Sequence, residues 1–99
     1  MADIELNWPF DQPKNCAAIT LRSIVFAGAP ILLVCHDEDD HAWQSLGGED
    51  FDETDAAVVA MEEIVDRDPS VSEVADLPPG RIAWRERVGD AWERQPHAE

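Results

Sequence analysis

Ala18-Ile19-Thr20-Leu21-Arg22-Ser23-Ile24-Val25-Phe26-Ala27, then Gly28-Ala29-Pro30, then Ile31-Leu32-Leu33-Val34-Cys35-His36 is the stretch on which the fold turns. Both flanks are rich in β-branched and apolar residues, and the segment between them is a turn signal in which Gly28 can supply a positive φ. The pattern predicts a β-hairpin. Apolar residues fall on both of its faces, Ile19, Leu21 and Val25 on one, Ile24 and Phe26 on the other. That distribution suits a central hairpin covered, at least in part, on two sides.

Working toward the C-terminus, Asp37-Glu38-Asp39-Asp40 ends the apolar run, and Ala42 to Leu46 reads as a third strand stopped by Gly47-Gly48. Glu49 to Asp55 is a second acidic loop. Thr54 is a fair N-cap, and Val58, Met61, Ile64 and Val65 follow at helical spacing. Ala57 to Met61 reads equally as a short strand entering a shorter helix, because Val58-Val59 is β-prone. Asp68-Pro69 closes that element, since the residue before a proline avoids the helical region. Ser70 with Glu73 forms a capping box for a second, two-turn helix carrying Val71, Val74 and Ala75 and closed by Leu77-Pro78-Pro79-Gly80.

From Arg81 to Val88 the sequence alternates. The expected strand buries Ile82, Trp84 and Val88 and turns Arg81, Arg85 and Arg87 outward. Gly89-Asp90 is a turn, and Ala91 to Arg94 a short closing strand. Toward the N-terminus, residues 1–15 read as an irregular arm anchored by Trp8 and Phe10, and residues 95–99 as a frayed tail. The expectation is a single small α+β domain over residues 1–99. It would hold an antiparallel sheet of three to five strands with one or two helices packed on one face.

At 99 residues the chain has room for one core, and a hydrophobic fraction of 44% supports one. Its 22 acids against 7 bases give a formal net charge of −15, unevenly placed. Residues 1–36 carry a net of −1, residues 37–76 a net of −14 and residues 77–99 a net of zero. So much negative charge repels phosphate backbones and anionic lipid, which argues against nucleic-acid and membrane binding. The start of the chain has no basic, apolar leader, and the longest apolar run, Ile31 to Cys35, is far too short to span a bilayer. A cytoplasmic protein is expected.

The candidate chemistry is sparse. An EF-hand calcium loop begun at Asp37 would need a glycine where Ala42 stands and a glutamate where Gly48 stands. One begun at Asp50 fails in the same way at Asp55 and Met61. Cys35, His36 and His41 do not form the paired ligand knuckles of a zinc site, because neighbours on a strand point to opposite faces. No metal and no cofactor is expected. In the expected hairpin Cys35 lies across from the region of Arg22, so it and Cys16 should both be free thiols. Trp43 reads either as a core aromatic or as a half-exposed anchor beside the acidic turn, and Trp92 has the same two readings.

One order of motifs runs through most of residues 16–94. It comprises Cys16-Ala17-Ala18-Ile19-Thr20, Pro30-Ile31-Leu32-Leu33-Val34 with His36-Asp37, Trp43 with Leu46-Gly47, Asp68-Pro69-Ser70, Leu77-Pro78-Pro79-Gly80, Ala83-Trp84-Arg85, and Gly89 with Trp92. In this the chain resembles an uncharacterised family of small bacterial proteins, a domain of unknown function akin to the immunity proteins of polymorphic toxins. The resemblance implies a bacterial cytoplasmic protein without a cofactor, and a role in blocking a toxin. The elements it rests on are turns and core positions, so it speaks to fold before activity.

The leading expectation is a non-enzymatic acidic module that binds a basic protein partner through Asp37, Asp39, Asp40 and His41, with Trp43 as an exposed anchor. Two other readings stand beside it. One is a small enzyme or ligand-binding domain with a pocket near Cys35, His36 and His41. The other is a homodimer in which the Arg81, Arg85 and Arg87 face meets acids of a second copy.

Overall fold

The computed structural model describes residues 8–10, 12–39, 42–47 and 53–96. In chain order the elements are β1 (Ala17–Leu21), α1 (Arg22–Ala27), β2 (Leu33–His36), β3 (Trp43–Leu46), a 3-10 turn (Glu53–Asp55), β4 (Ala56–Ala60), α2 (Met61–Arg67), a 3-10 helix (Pro69–Val74), β5 (Arg81–Trp84) and β6 (Glu93–Pro96). The strands make one six-stranded sheet in the order β4-β1-β3-β2-β5-β6. Every pairing is antiparallel except β1 with β3. The α+β class is as expected, but the sheet is mixed and one strand larger than anticipated.

The hairpin over residues 18–36 does not form. β3 lies between β1 and β2, and residues 22–27 are helical. Two features convert the expected strand into α1. Gly28 takes the left-handed conformation at φ 76° and closes the helix with its N–H on the Ser23 carbonyl, so Gly28-Ala29-Pro30 is a helix stop and not a hairpin turn. At the other end Asp55 accepts hydrogen bonds from the Ser23 hydroxyl at 2.9 Å and, at 3.4 Å, from the Ser23 N–H. An orphan donor of the first turn is thus served from 32 residues away. Ile24 is buried, whereas Phe26 stands in solvent.

Residues 56–60 are strand, in full register with β1 from Ala17↔Ala60 to Leu21↔Ala56. The helix begins only at Met61. Its first N–H groups find acceptors outside the helix, Met61 on the Cys16 carbonyl and Glu62 on the Lys14 carbonyl. Glu62 and Glu63 favour the positive end of the dipole and Arg67 the negative end, and Glu63 pairs with Arg67 at 3.0 Å.

The following 3-10 helix is capped by Asp68 and not by the expected Ser70–Glu73 box. The Asp68 Oδ1 accepts from the Ser70 N–H at 3.1 Å and from its hydroxyl at 2.6 Å. β6 runs to Pro96, two residues into the stretch expected to fray.

Strand alternation divides the sheet into two unlike faces. Ala18, Thr20, Val34, His36, Trp43, Ser45 and Ala83 point one way and are all buried. With Phe10 of the arm, Met61 and Ile64 of α2, and Val71, Val74 and Leu77 beyond it, their apolar members form the core, which Leu21, Ile24, Ile31 and Leu46 extend at the strand ends. Ile19, Val58, Gln44, Cys35, Leu33, Ile82 and Trp84 point the other way. Of these Val58 is 69% exposed and Trp84 38%, while Cys35 is hidden between neighbouring side chains.

β5 is therefore inverted from its expected setting, with Ala83 and Arg85 inside and Trp84 outside. The reason is Arg85. It is 3% exposed, and its guanidinium meets Asp68 Oδ2 at 2.6 Å, the Ile31 carbonyl at 2.9 and 3.1 Å and the Ser70 hydroxyl at 2.8 Å. Trp92 lies over it, with the ring centroid 4.0 Å from Cζ. A buried cation so fully bonded is stable where a bare one is not.

Candidate functional site

The acidic turn sits at one end of the sheet. β2 delivers Asp37, whose N–H bonds the Ala42 carbonyl at 2.8 Å, and β3 returns from there. Both Asp37 carboxylate oxygens accept from Gln44 Nε2, at 2.9 and 3.1 Å, so this side chain is fixed and half-buried. Glu38 and Asp39 are exposed. Glu38 lies against Gly80, whose left-handed φ of 85° and N–H bond to the His36 carbonyl (2.7 Å) bring the Pro78-Pro79-Gly80 turn under the acidic one. Asp40 and His41 lie outside the described residues.

The acid-rich middle of the sequence is not one patch. Because β1 is parallel to β3 and antiparallel to β4, the start of α2 emerges at the same end as the acidic turn. The exposed Glu62, in the first turn of α2, therefore emerges at the same end as Glu38 and Asp39. Asp55 is at the opposite end, on the order of 13 Å away along the four-residue β3, and is engaged as the cap of α1. Asp68 is likewise occupied, by Arg85.

Trp43 is not an exposed anchor. It is 1% exposed, stacked on His36 with ring centroids 3.9 Å apart and met edge-on by Phe10 at 5.0 Å. His36 is buried too, with Nδ1 2.7 Å from the Leu77 carbonyl. Trp92 is half-buried and bonds the Ser70 carbonyl through its N–H at 3.2 Å.

Cys35 and His36, drawn together in the pocket reading, are on opposite faces of β2, and a strand cannot bring adjacent side chains to one point. Cys35 pairs across to Gln44 and Ile82, not to the region of Arg22. Burial, and secondarily the nearby Asp37 carboxylate, push its thiol up to about 11. It is a protonated thiol at neutral pH and a poor nucleophile. Both cysteines are free. Among the described residues no group of three or more His, Cys, Asp or Glu side chains is placed to hold a metal ion, and no helix is long and apolar enough to cross a membrane.

The arginine face also dissolves. Arg85 is inside, Arg87 faces Asp90 at 3.7 Å in the 85–90 loop, and Arg81 is exposed at the start of β5. In their place the outer face of the sheet offers a groove of about 500 Å³, lined by Leu32, Leu33, Gly47, Ile82, Trp84 and Gln95 with the charged pair Arg85 and Glu86. A smaller hollow of about 330 Å³ adjoins it at Trp84 and is walled by Glu86, Asp90 and Glu93. The period-two pattern of β5 does hold this surface. Only the choice of which side faces the core hid it, and that choice depends on Arg85 finding Asp68.

Comparison of the chain with protein-family models, curated proteins and solved structures finds no match.

Proposed function

We propose that this chain is a non-enzymatic acidic module that binds a basic protein partner. The observation that carries the reading is the excess of 14 negative charges in residues 37–76, of which Glu38, Asp39 and Glu62 are exposed at one end of the sheet. A cluster of this kind raises the local concentration of a cationic partner and speeds encounter, chiefly through the association rate. The resemblance to toxin-immunity proteins gives the reading a setting, a bacterial cytoplasm in which the partner is a basic toxin. Trp43 has no part in it, and any apolar anchor comes from elsewhere on the surface.

The test is capture of partners by the tagged protein from host lysate at low salt, with elution by rising salt, followed by association kinetics with the recovered protein. One basic protein in stoichiometric amount, whose association slows severalfold when Asp37, Asp39 and Asp40 are neutralised together, is the expected result. Binding indifferent to salt would sink the proposal.

A further inference from the structure

The acids explain attraction but not grip, since exposed charges contribute little to the strength of a formed contact. Grip comes from apolar groups that lose water, above all large aromatic ones. Inside this fold the aromatic residues Phe10 and Trp43 are already spent on the core. Among the described residues two aromatics face solvent, Phe26 on α1 and Trp84 on the sheet, and of these Trp84 is the one set in a concavity, at the junction of the groove and the acid-walled hollow.

The outer face is apolar in two rows. One runs through Val58, Ile19, Gln44, Cys35 and Ile82 to Gln95, the other through Leu46, Leu33 and Trp84 to Glu93. Neither row contains a lysine or arginine. Carboxylates border them, Asp37 beside Gln44 and Glu93 beside Trp84, and the one cation in the groove's lining, Arg85, is buried and bonded to Asp68. Within the hollow, the guanidinium of Arg85 is turned inward onto Asp68, and Asp90 has Arg87 near it at 3.7 Å. Glu86 and Glu93 remain as exposed negative walls.

This pairing of shapes and charges selects one kind of occupant. A second copy of the chain would bring another acidic rim against this one. A segment carrying a large apolar side chain next to lysine or arginine fits both halves, the apolar group in the groove and the cation against Glu86 and Glu93.

We infer that the groove at Trp84 is the docking site of the basic partner, and that it takes an apolar residue flanked by a cationic one. The inference rests on the basic-partner reading above and adds to it the place and the anchor.

Two synthetic peptides of equal positive charge test it, one alternating leucine with lysine and one alternating serine with lysine. Binding to the full chain is followed by calorimetry and by amide chemical-shift mapping. The leucine–lysine peptide is expected to bind roughly tenfold more tightly or better, with shifts at Leu33, Ile82, Trp84 and Glu86. Trp84→Ala should remove the advantage. The exposed pair Glu86→Gln and Glu93→Gln, which leaves the core untouched, should weaken both peptides.

Equal binding of the two peptides, with shifts confined to Glu38, Asp39 and Glu62, overturns the groove while leaving the basic-partner reading intact. No binding of either peptide overturns both. A dimer in sedimentation that Trp84→Ala dissolves overturns the heterologous occupant in favour of a second copy.

Discussion

On one face of the sheet Trp43, Val34 and Ala83 lie beneath α2, the 3-10 helix and Phe10, and even the polar groups are tied down. Thr20 donates to the Ser45 carbonyl at 2.8 Å, and Arg85 meets four acceptor contacts. On the other face Val58 and Trp84 stand in solvent, and the one buried residue in its middle row is Cys35. The closed face is buried along its length, whereas the open one buries Leu21, Cys35 and Leu46 and leaves Val58 and Trp84 exposed. A substitution of similar size should therefore cost very different amounts on the two sides.

The sharpest way to break this contrast is at the buried ion pair. Asp68→Ala leaves Arg85 charged and under-bonded inside the core, and about 3–5 kcal/mol should be lost. For a domain of this size that is a large part of the total, so the urea midpoint should fall steeply. A loss under about 1 kcal/mol would mean that the closed face is no better ordered than the open one. Next is Gly80→Ala, which forces a Cβ into the left-handed region and within 3.3 Å of Glu38. About 1–2 kcal/mol is expected from the backbone conformation alone, measurable by thermal unfolding.

Cys35 provides a titration of the open face. Its folded-state value is raised from 9.0 to about 11, so above pH 9 the unfolded chain gives up this proton while the folded chain keeps it. Stability should fall as pH rises from 9 through about 11, and Cys35→Ala should lack that part of the slope. Consistent with the same burial, alkylation at neutral pH should reach the half-buried Cys16 well before Cys35. The smallest effect is expected for Trp84→Ser, under about 1 kcal/mol of stability from a partly exposed site. A larger loss would show that the open face is part of the fold and not a surface held for a partner.

What sequence alone revealed follows from how local each cause is. Leu33 to His36 and Trp43 to Leu46 read as strands because β-rich runs bounded by acids and glycines need no distant partner to be recognised. α1 was hidden because its first turn is served by Asp55, and no local rule connects Ser23 to a residue 32 positions on. Ala56 to Ala60 satisfies both strand and helix, and the neighbour β1 decides. β5 shows its period but not its phase, because a buried arginine is affordable only when Asp68, Ser70 and Ile31 converge on it. The site shows the same division. The charge of Glu38 and Asp39 is plain in the sequence, while the burial of Trp43 depends on His36 and Phe10, and the outward turn of Trp84 on Arg85.

The strand order carries one more consequence, concerning the order in which a chain is synthesised. β1, β3 and β2, three of the four inner strands, all come from residues 17–46, and the strands that flank them, β4 and β5, emerge later. A nascent chain therefore holds the middle of the sheet while both of its margins are unfinished. The elements that cover its apolar side, α2 and the 3-10 helix, come later in the chain. Unpaired margins and bare apolar surface are what draw nascent chains together. Asp37 to Asp40 follow β2 directly and Glu49 to Asp55 follow β3 after Gly47-Gly48, so each of these strands is trailed by like charge of the kind that opposes association between chains.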